Sequence, residues 1–353
     1  MIKLSFKRRT DQSKFIHIKI LFFSILFSLF ITGLLFYASG FNPFYVYKEI
    51  IRGAFFSKHA LTEVIVKTSP LILCSLSVCF AAIMMLWNIG AEGQLYIGAF
   101  FASFIALKLE WIPSELKLPL MFLAGFCGGA LWALIPALLK IISNVNDIIS
   151  TLLLNYIAIL FVNYFIYGPW KGKDGFPYTH FFPGDCHLPL FFDSRIHLGV
   201  FLSLIIAVIV YIVINKTTFG YEMKIIGCNK EAALYAGMDI TKNIVIVMLI
   251  SGGIAGICGM FEVSGIIHRL QPDISSSYGY TGIIIAWLCK RKIGLIILVS
   301  FLFGAMEVGG DAMQITMHIP AAIVRIFEAA LLFSILGLEI FSNYILTFQR
   351  ENR

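Results

Sequence analysis

Long apolar runs separated by short polar segments make up nearly the whole chain. A membrane-spanning helix needs about 20 apolar residues, and runs of this kind recur from Ile18 to Ile345. The pattern predicts an all-α integral membrane protein with about ten transmembrane helices in a single domain, residues 1–353. The predicted spans are residues 18–38, 63–86, 93–109, 119–140, 148–168, 197–214, 243–264, 279–289, 293–310 and 320–345. The eighth is too short to cross alone, so it is either extended by residues 275–278 or a partial helix packed against its neighbours.

The composition supports a membrane setting. Hydrophobic residues make up 59% of the chain and charged residues 13%, and the mean hydropathy is +0.88. The seven Cys form neither CxxC pairs nor metal-ligand spacings with His, so no metal site is predicted. The Cys within apolar runs are expected in the core; they are Cys74, Cys79, Cys127, Cys258 and Cys289.

The distribution of Lys and Arg predicts the orientation of the chain. With the amino terminus inside, interior segments hold sixteen of the 27 basic residues and exterior segments hold nine. Both termini are therefore predicted to be cytoplasmic, with residues 1–17 as a cytoplasmic tail, 169–196 as an exterior loop and 215–242 as a cytoplasmic loop. The net charge of +7 follows from these basic loops and requires no nucleic acid. Alternatively, the first apolar run, after Lys7-Arg8-Arg9, is a signal peptide.

Ten spans divide into two halves of five, and an odd number per half inverts the second half relative to the first. Small residues followed by a polar break occur in both halves. They are residues 90–93 in the first half, and residues 252–259 leading to Glu262 and Gly265 in the second. An inverted repeat places a solute route at the interface between the halves.

The segment from Asn88 to Gln94 is the most unusual polar break. Asn88, Glu92 and Gln94 lie in this segment, between two apolar runs. A carboxylate and two amides at membrane depth are tolerated only where protein or water surrounds them. The segment therefore indicates a solute pathway rather than a lipid-facing helix.

Two polar connections are long enough to have functions of their own. Residues 169–196 are rich in Pro and Gly with aromatic residues between them, which predicts an irregular but ordered loop that is either a tether or a docking surface. Within 215–242, the sequence from Asn229 to Gly237 predicts a short helix with an Asn cap and a Gly stop. This helix is either a docking knob or part of a solvated loop.

Several of these segments resemble one family in collinear order. Residues 86–94 with Gly98 are similar to the signature of permease subunits of ATP-binding cassette importers in the nucleoside and simple-sugar branch of the branched-chain-type permeases. The similarity continues through residues 146–156, 219–220, 227–233, 236–237, 251–256 and 278–283. The form Asn-Ile-Gly-Ala-Glu-Gly-Gln is more similar to nucleoside permeases than to ribose and galactose permeases.

The resemblance implies an all-helical permease subunit, not an enzyme, driven by a separate ATPase in the cell membrane. No GxxxxGK[ST] phosphate loop occurs in the chain, so ATP would bind the partner and this chain would bind no cofactor. Other implied partners are a second permease, as a homodimer or heterodimer, an extracytoplasmic substrate-binding protein or lipoprotein, and a nucleoside or simple sugar as solute. The residues implied in ATPase coupling are Gly227, Asn229, Lys230, Glu231, Ala232, Ala233, Ala236 and Gly237. Cys228 and Tyr235 depart from the small or polar residues expected there.

The resemblance also implies a central cavity lined by amides and a few charges. The candidate pathway residues are Asn88, Glu92, Gln94, Asn155, Asn163 and Glu262, with Trp87 as a stacking surface for a base. For each amide, the competing interpretation is a hydrogen bond that holds two helices together. A different class, an ion-coupled secondary transporter, would use Glu92 or Glu262 as a proton carrier. An intramembrane enzyme is disfavoured because no HExxH, GxSxG or carboxylate and His cluster occurs.

Overall fold

The computed structural model describes residues 2–8, 14–109, 111–317 and 344–350, with scattered positions between 319 and 337. Helices dominate this part of the chain. In chain order they are α1 (Lys14–Ala38), α2 (Pro43–Phe55), α3 (Lys58–Ile83), α4 (Ala91–Lys108), α5 (Ser114–Ser143), α6 (Asp147–Tyr167), α7 (Leu198–Lys216), α8 (Thr218–Cys228), α9 (Lys230–Tyr235), α10 (Ile240–Glu262), α11 (Tyr278–Leu288) and α12 (Ile293–Met317). A 3-10 turn covers Gly184–Cys186, and a π-helical turn, Val263–Ile267, continues α10. The strands are β1 (Ile2–Arg8), β2 (Leu190–Phe191), β3 (Ile196–His197) and β4 (Tyr344–Arg350).

The chain divides into two compact units. The first consists of Met1–Ser57 and Met306–Arg353, and the second of Lys58–Ala305. In the first unit, β1 and β4 pair antiparallel from Ile2 with Arg350 to Arg8 with Tyr344. Residues 344–345, predicted as the end of the last span, therefore belong to a strand, because 344–350 and 2–8 form a backbone ladder. The rest of the predicted span 320–345 lies mostly outside the described residues.

Helix α2 also belongs to the first unit and lies between two predicted spans. Asn42 caps it, since its side chain accepts from Phe44 N at 3.0 Å, and Pro43 occupies the first turn, where its missing N–H costs nothing. Residues 25–38 of α1 and the whole of α2 meet at an angle of 112°. Buried Phe36 and Val46 pack with Met313 and Ile319 to form the core of this unit.

The second unit is a bundle in which α10 packs against α3, α4 and α5. Glycines allow the backbones to touch: a Cβ on Gly256 would collide with Gly125 O, and a Cβ on Gly259 would collide with Leu95 O. Cys74 and Cys258 are buried there, with sulfurs 3.7 Å apart. Cys127, expected in the core, is instead exposed on α5, because an apolar run does not reveal which face is turned toward lipid.

The described helices suit a multi-pass membrane protein. Six are long and apolar enough to cross a bilayer, or seven if the bent pair of α1 and α2 counts as one span. Helix α4, at 18 residues with Glu92 and Lys108, is not among the six, and α11 has 11 residues. The predicted eighth span is therefore a short helix in the structure.

The two connections differ in structure. Residues 169–196 are irregular, with one 3-10 turn and a two-residue hairpin between β2 and β3. Residues 215–242 are instead mostly helical, because α8 and α9 fill the segment between α7 and α10.

Candidate functional site

The segment between α3 and α4, residues 84–90, folds back into the bundle. Asn88 Nδ2 donates to Ser251 Oγ at 2.7 Å, and Ser251 Oγ donates to Ser77 O at 2.7 Å. Ser77 lies six residues before Ile83, the last residue of α3, which corresponds to about 9 Å along a helix axis. Asn88 is thus level with the interior of α3 rather than with its end, and α4 begins inside the bundle.

A closed amide pair holds this segment. Asn88 Nδ2 donates to Gln94 Oε1, and Gln94 Nε2 donates to Asn88 Oδ1, both at 2.9 Å. Asn88 Oδ1 also accepts from Gly90 N at 3.1 Å. With Ser251, these bonds use both N–H donors and both acceptor positions of the Asn88 amide. Asn88 and Gln94 are each 1% exposed.

Helix α6 secures the other side of the segment. Asn155 Oδ1 accepts from Gly93 N at 2.8 Å, and its Nδ2 donates to Ile89 O at 2.9 Å and Tyr280 OH at 3.3 Å. At the start of α6, Asp147 Oδ2 accepts from Trp87 N at 2.7 Å, while Oδ1 pairs with Lys140 at 2.9 Å. The polar break is therefore clamped to α6 through backbone groups.

Glu92 lies where two helices begin. Its Oε2 accepts from Gly279 N at 2.7 Å, and Ser275 also hydrogen-bonds its side chain. Ser277 precedes α11 with φ +73°, a left-handed conformation that turns the chain into the helix. Gly279 approaches so closely that a Cβ would meet the Glu92 backbone. The amino termini of α4 and α11 thus converge at a buried carboxylate, and helix dipoles favour negative charge at such ends.

Aromatic residues adjoin this centre. Trp87 stacks on Trp287 with ring centroids 4.8 Å apart and planes 20° from parallel. Trp287 belongs to the site because it contacts Trp87, and Tyr280 belongs to it because it bonds Asn155. Trp287 is also 39% exposed. Sequence reasoning missed both, because Trp287 and Tyr280 lie in an apolar run and only the fold brings them beside the polar break.

The remaining two predicted pathway residues lie farther along α6 and at the end of α10. Asn163 is in α6, two turns beyond Asn155, and its buried Oδ1 has no hydrogen-bond partner. Glu262 ends α10 and is 3% exposed. The structure therefore groups Trp87, Asn88, Glu92, Gln94 and Asn155 in one cluster.

The predicted helix from Asn229 is present as α9. Asn229 Oδ1 accepts from Glu231 N at 3.0 Å and Ala232 N at 3.1 Å. At the other end, Gly237 has φ +76° and Met238 N donates to Ala233 O at 3.0 Å, which closes the helix. The predicted Asn cap and Gly stop are confirmed.

Helix α9 is a small projection. Ala233 is buried at its base, while Leu234 and Tyr235 are 61% and 96% exposed. The other predicted coupling residues are exposed, apart from the half-buried Gly227; the exposed ones are Asn229, Lys230, Glu231, Ala232, Ala236 and Gly237. Gly227, at the end of α8, contacts the end of α3, since a Cβ there would collide with Ile83 O. The projection is thus connected to the helix that leads into the polar break.

Comparison with known proteins identifies the family. The family model described as the permease component of branched-chain amino acid transport systems matches residues 60–336. This chain belongs to that family. It is a transport component rather than an enzyme, and a multi-pass protein of the cell membrane.

Three curated relatives match most of the permease. It is 34% identical over 335 residues to the glucose ABC transporter permease protein TsgB13 of Haloferax volcanii, covering 91% of this chain and 87% of the relative. It is 32% identical over 321 residues to the guanosine ABC transporter permease protein NupP of Bacillus subtilis, covering 90% and 92%. It is 28% identical over 323 residues to the nucleoside ABC transporter permease protein NupB of Lactococcus lactis, covering 88% of both chains.

The 169–196 loop of the permease packs on the segment after α10. Its residues Thr179 and Phe182 donate backbone hydrogen bonds to Leu270 O and His268 O at 2.9 and 2.8 Å. The guanidinium of Arg269 lies 4.1 Å from the Tyr178 ring centroid. These contacts order the loop as predicted.

For two groups near this loop, the surroundings shift the pKa from its ordinary value. Burial lowers the pKa of His197 from 6.5 to about 4, and neither ring nitrogen has a hydrogen-bond partner. Lys117 Nζ lies 2.8 Å from Asp185 Oδ2, and this hydrogen bond holds the pKa of the carboxyl below its ordinary value. Both shifts favour the loop structure at neutral pH.

Proposed function

We propose that this permease forms the translocation pathway of an ATP-driven importer and that its solute is a nucleoside. The observation that carries the proposal is the meeting of α4 and α11 inside the bundle at Glu92. Helices that begin at membrane depth around a polar centre are typical of transporter binding sites. The relatives NupP and NupB are named as guanosine and nucleoside permease proteins, and these names support a nucleoside as the solute.

The arrangement of helices supports two inverted halves. Ser77 contacts Ser251, and Pro70 contacts Cys258, so α3 and α10 run antiparallel. Each is followed by a non-helical segment and then by a helix that begins inside the bundle, α4 in one case and α11 in the other. On this correspondence α5 matches α12, and ten spans in two halves of five remain our proposal for the complete architecture.

We assign different roles to the predicted pathway residues. Asn88, Gln94 and Asn155 position residues 84–90, which we call the re-entrant segment, because their amides already bond protein groups. Trp87, with Trp287, supplies an aromatic face on which a base stacks. To Asn163 we assign contact with the solute, because its buried Oδ1 has no hydrogen-bond partner in the protein. Glu92 and Glu262 keep the pathway polar.

Uptake of radiolabelled solutes tests the nucleoside proposal. In cells lacking the chain, wild type and Trp287→Phe should restore nucleoside uptake, whereas Trp287→Ala should restore less than one tenth of it. Trp111→Ala is the matched control, since Trp111 is 80% exposed and follows the carboxyl end of α4, whereas Glu92 lies in the first turn of that helix. If pentose or glucose uptake alone depends on the chain, the simple-sugar alternative, in line with the relative TsgB13, replaces the nucleoside.

We further propose that α9 inserts into a partner ATPase, which alone binds ATP, so that this chain carries no cofactor. Support comes from its exposed Leu234 and Tyr235 and from the contact of Gly227 with α3. On this proposal α9 and both termini are cytoplasmic, and the 169–196 loop faces an extracytoplasmic substrate-binding protein or lipoprotein. A second permease, identical or not, completes the membrane assembly.

Co-purification tests this coupling. Tyr235→Ala combined with Leu234→Ala should lose the ATPase during purification, whereas Trp111→Ala should retain it. Nucleoside uptake without any associated ATPase, collapsed by a protonophore instead, would favour the ion-coupled class.

A further inference from the structure

A basic pocket of about 420 Å³ opens near the base of the α9 projection, apart from the polar centre. It lies between the ends of α3 and α7, the helix α8 and the turn that joins α11 to α12. Its volume falls within the roughly 300–1,000 Å³ typical of small-molecule sites.

Three cationic side chains line the pocket: Lys224, Arg291 and Lys292. No carboxylate lines it within the part of the chain that the structure describes. Two of these cations contact neutral acceptors: Lys224 Nζ bonds Asn215 Oδ1 at 3.0 Å, and Arg291 Nη1 bonds Ala82 O at 3.0 Å. By contrast, Lys117, Lys140 and Arg195 each pair with a carboxylate. The pocket therefore carries uncompensated positive charge.

The backbone holds this charge in place. Lys290 and Arg291 both have positive φ, +47° and +64°, which is uncommon for residues with a side chain. Arg291 N donates to Ala286 O at 3.2 Å and Lys292 N to Cys289 O at 2.9 Å. Strained turns of this kind cluster at ligand sites, and here the turn aims two consecutive cations at one cavity.

The other wall of the pocket is apolar and continues toward the membrane. Tyr211 and Ile214 of α7 and Ile293 of α12 line it. Tyr211 is 48% exposed, and Val208, one turn earlier on α7, is 57% exposed. In a membrane protein, an exposed apolar helix face of this kind lies against acyl chains. The pocket thus joins a cationic end to a lipid-facing surface.

We propose that this pocket binds the phosphate of an anionic phospholipid headgroup, with the acyl chains along the exposed face of α7. Lys and Arg clusters beside membrane helices attract anionic lipids, and Arg suits phosphate because its guanidinium donates two parallel hydrogen bonds. Helix carboxyl termini surround the pocket and offset part of the charge. A bound phosphate would satisfy the remainder.

Native mass spectrometry of the purified full chain in detergent tests the site. Phosphatidylglycerol and phosphatidylcholine are titrated against wild type, Lys224→Gln/Lys292→Gln, and the control Lys216→Gln/Lys242→Gln. The control removes the same charge from exposed positions outside the pocket lining. We expect phosphatidylglycerol to bind wild type at least fivefold more tightly than the pocket variant, with less than a twofold loss in the control.

Further arms of the experiment identify the source of the phosphate. If millimolar inorganic phosphate displaces phosphatidylglycerol and binds equally well, the site is for a free anion and the lipid proposal fails. If the two double variants lose equal affinity for phosphatidylglycerol, the binding depends only on the general surface charge, and the proposal is overturned. If lipid binds the isolated chain but is lost from the assembled importer, the pocket belongs to a subunit interface, and the proposal is likewise overturned.

Discussion

Asn88 uses all the hydrogen-bonding positions of its amide for contacts within the protein. Its partners are Gly90 in the segment between α3 and α4, Gln94 in α4 and Ser251 in α10. A solute could replace one of these bonds only by leaving another buried group unpaired. Asn88 therefore has a structural role in holding the segment between α3 and α4, whereas the buried Oδ1 of Asn163 has no hydrogen-bond partner.

Replacing these two residues should separate structural from solute-contacting amides. Asn88→Ala removes the partners of the buried Gln94 amide and of Gly90 N, at about 1–3 kcal/mol for each unpaired group, while Ser251 keeps its bond to Ser77 O. We expect a clear fall in the Tm of the detergent-purified chain. Asn163→Ala should leave the Tm nearly unchanged. Equal losses of Tm would contradict the assignment of different roles.

His197 predicts a pH-dependent stability. Its pKa is lower in the folded protein, about 4, than its ordinary value of 6.5, so the unfolded chain binds a proton first as the pH falls. Stability should be fully present above pH 6.5 and decline toward pH 4, by on the order of 3 kcal/mol in total. His268, whose pKa is also lowered by burial, acts in the same direction.

Tm measured from pH 8 to pH 4 checks this expectation. His197→Phe retains a ring near Phe261, whose centroid lies 6.5 Å from that of His197, and should flatten the profile. His180→Gln, at an exposed loop position, should retain the wild-type slope. A slope that His197→Phe leaves unchanged would assign the pH dependence to other groups.

At the scale of elements, the contacts of α10 with α4 and α5 are contacts between backbones. Gly256 lies against Gly98, Gly125 and Gly129, so the three helices approach without side chains between them. Helix faces without side chains permit either dense static packing or sliding of one helix along another. In both cases a single methyl group is enough to disturb them.

The same substitution should therefore have opposite effects at two helical glycines. Gly256→Ala inserts a Cβ into the backbone of α5 and should lower stability by about 1–3 kcal/mol. Gly294 has open space around its Cβ position, and Gly294→Ala should raise stability by up to about 1 kcal/mol through helix propensity. Thermal unfolding of both variants decides the matter, and a loss at Gly294 as large as at Gly256 would refute the packing argument.

Capping of α9 provides a test at the same scale. Asn229→Ala removes two hydrogen bonds to the start of α9 and should cost about 1 kcal/mol of local helix stability. We expect ATP-driven uptake to fall several-fold at an unchanged amount of protein in the membrane. Asn42→Ala removes a similar cap from α2 and should not alter coupling. Normal uptake by Asn229→Ala would argue against a coupling role.

The elements differ in how far the sequence predicts them. Strong local signals predict most of the described helices. These signals are the apolar runs and, for α9, the Asn229 cap and the Gly237 stop. The depth of residues 84–90 could not be predicted, because it depends on Ser77 and Ser251 in distant helices. Trp287 was missed for the same reason. Tyr344 and Ile345 of β4 fall in the predicted span 320–345 because these two residues are apolar enough for either structure.

For the whole molecule, alternating access requires the two proposed halves to move relative to each other. Cys74 of α3 and Cys258 of α10 lie across that boundary with sulfurs 3.7 Å apart, so a small shift would allow a disulfide of about 2.05 Å. Oxidative cross-linking should stop uptake and reduction should restore it. The variant Cys258→Ala should be insensitive to the oxidant. Undiminished uptake by the cross-linked protein would place the moving boundary elsewhere.

The buried contacts of the re-entrant segment also constrain how the chain is made. Asn88 meets its partner Ser251 only after 163 further residues, and Glu92 meets Gly279 after 187. At about 5–20 residues per second, the ribosome takes roughly 10–30 s to supply Ser251. During that interval the polar start of α4 has its partners on α4 and α6 but lacks those on α10 and α11. We therefore expect α4 to reach its final position only after α10 and α11 have been made, so that the helices settle out of the order of synthesis.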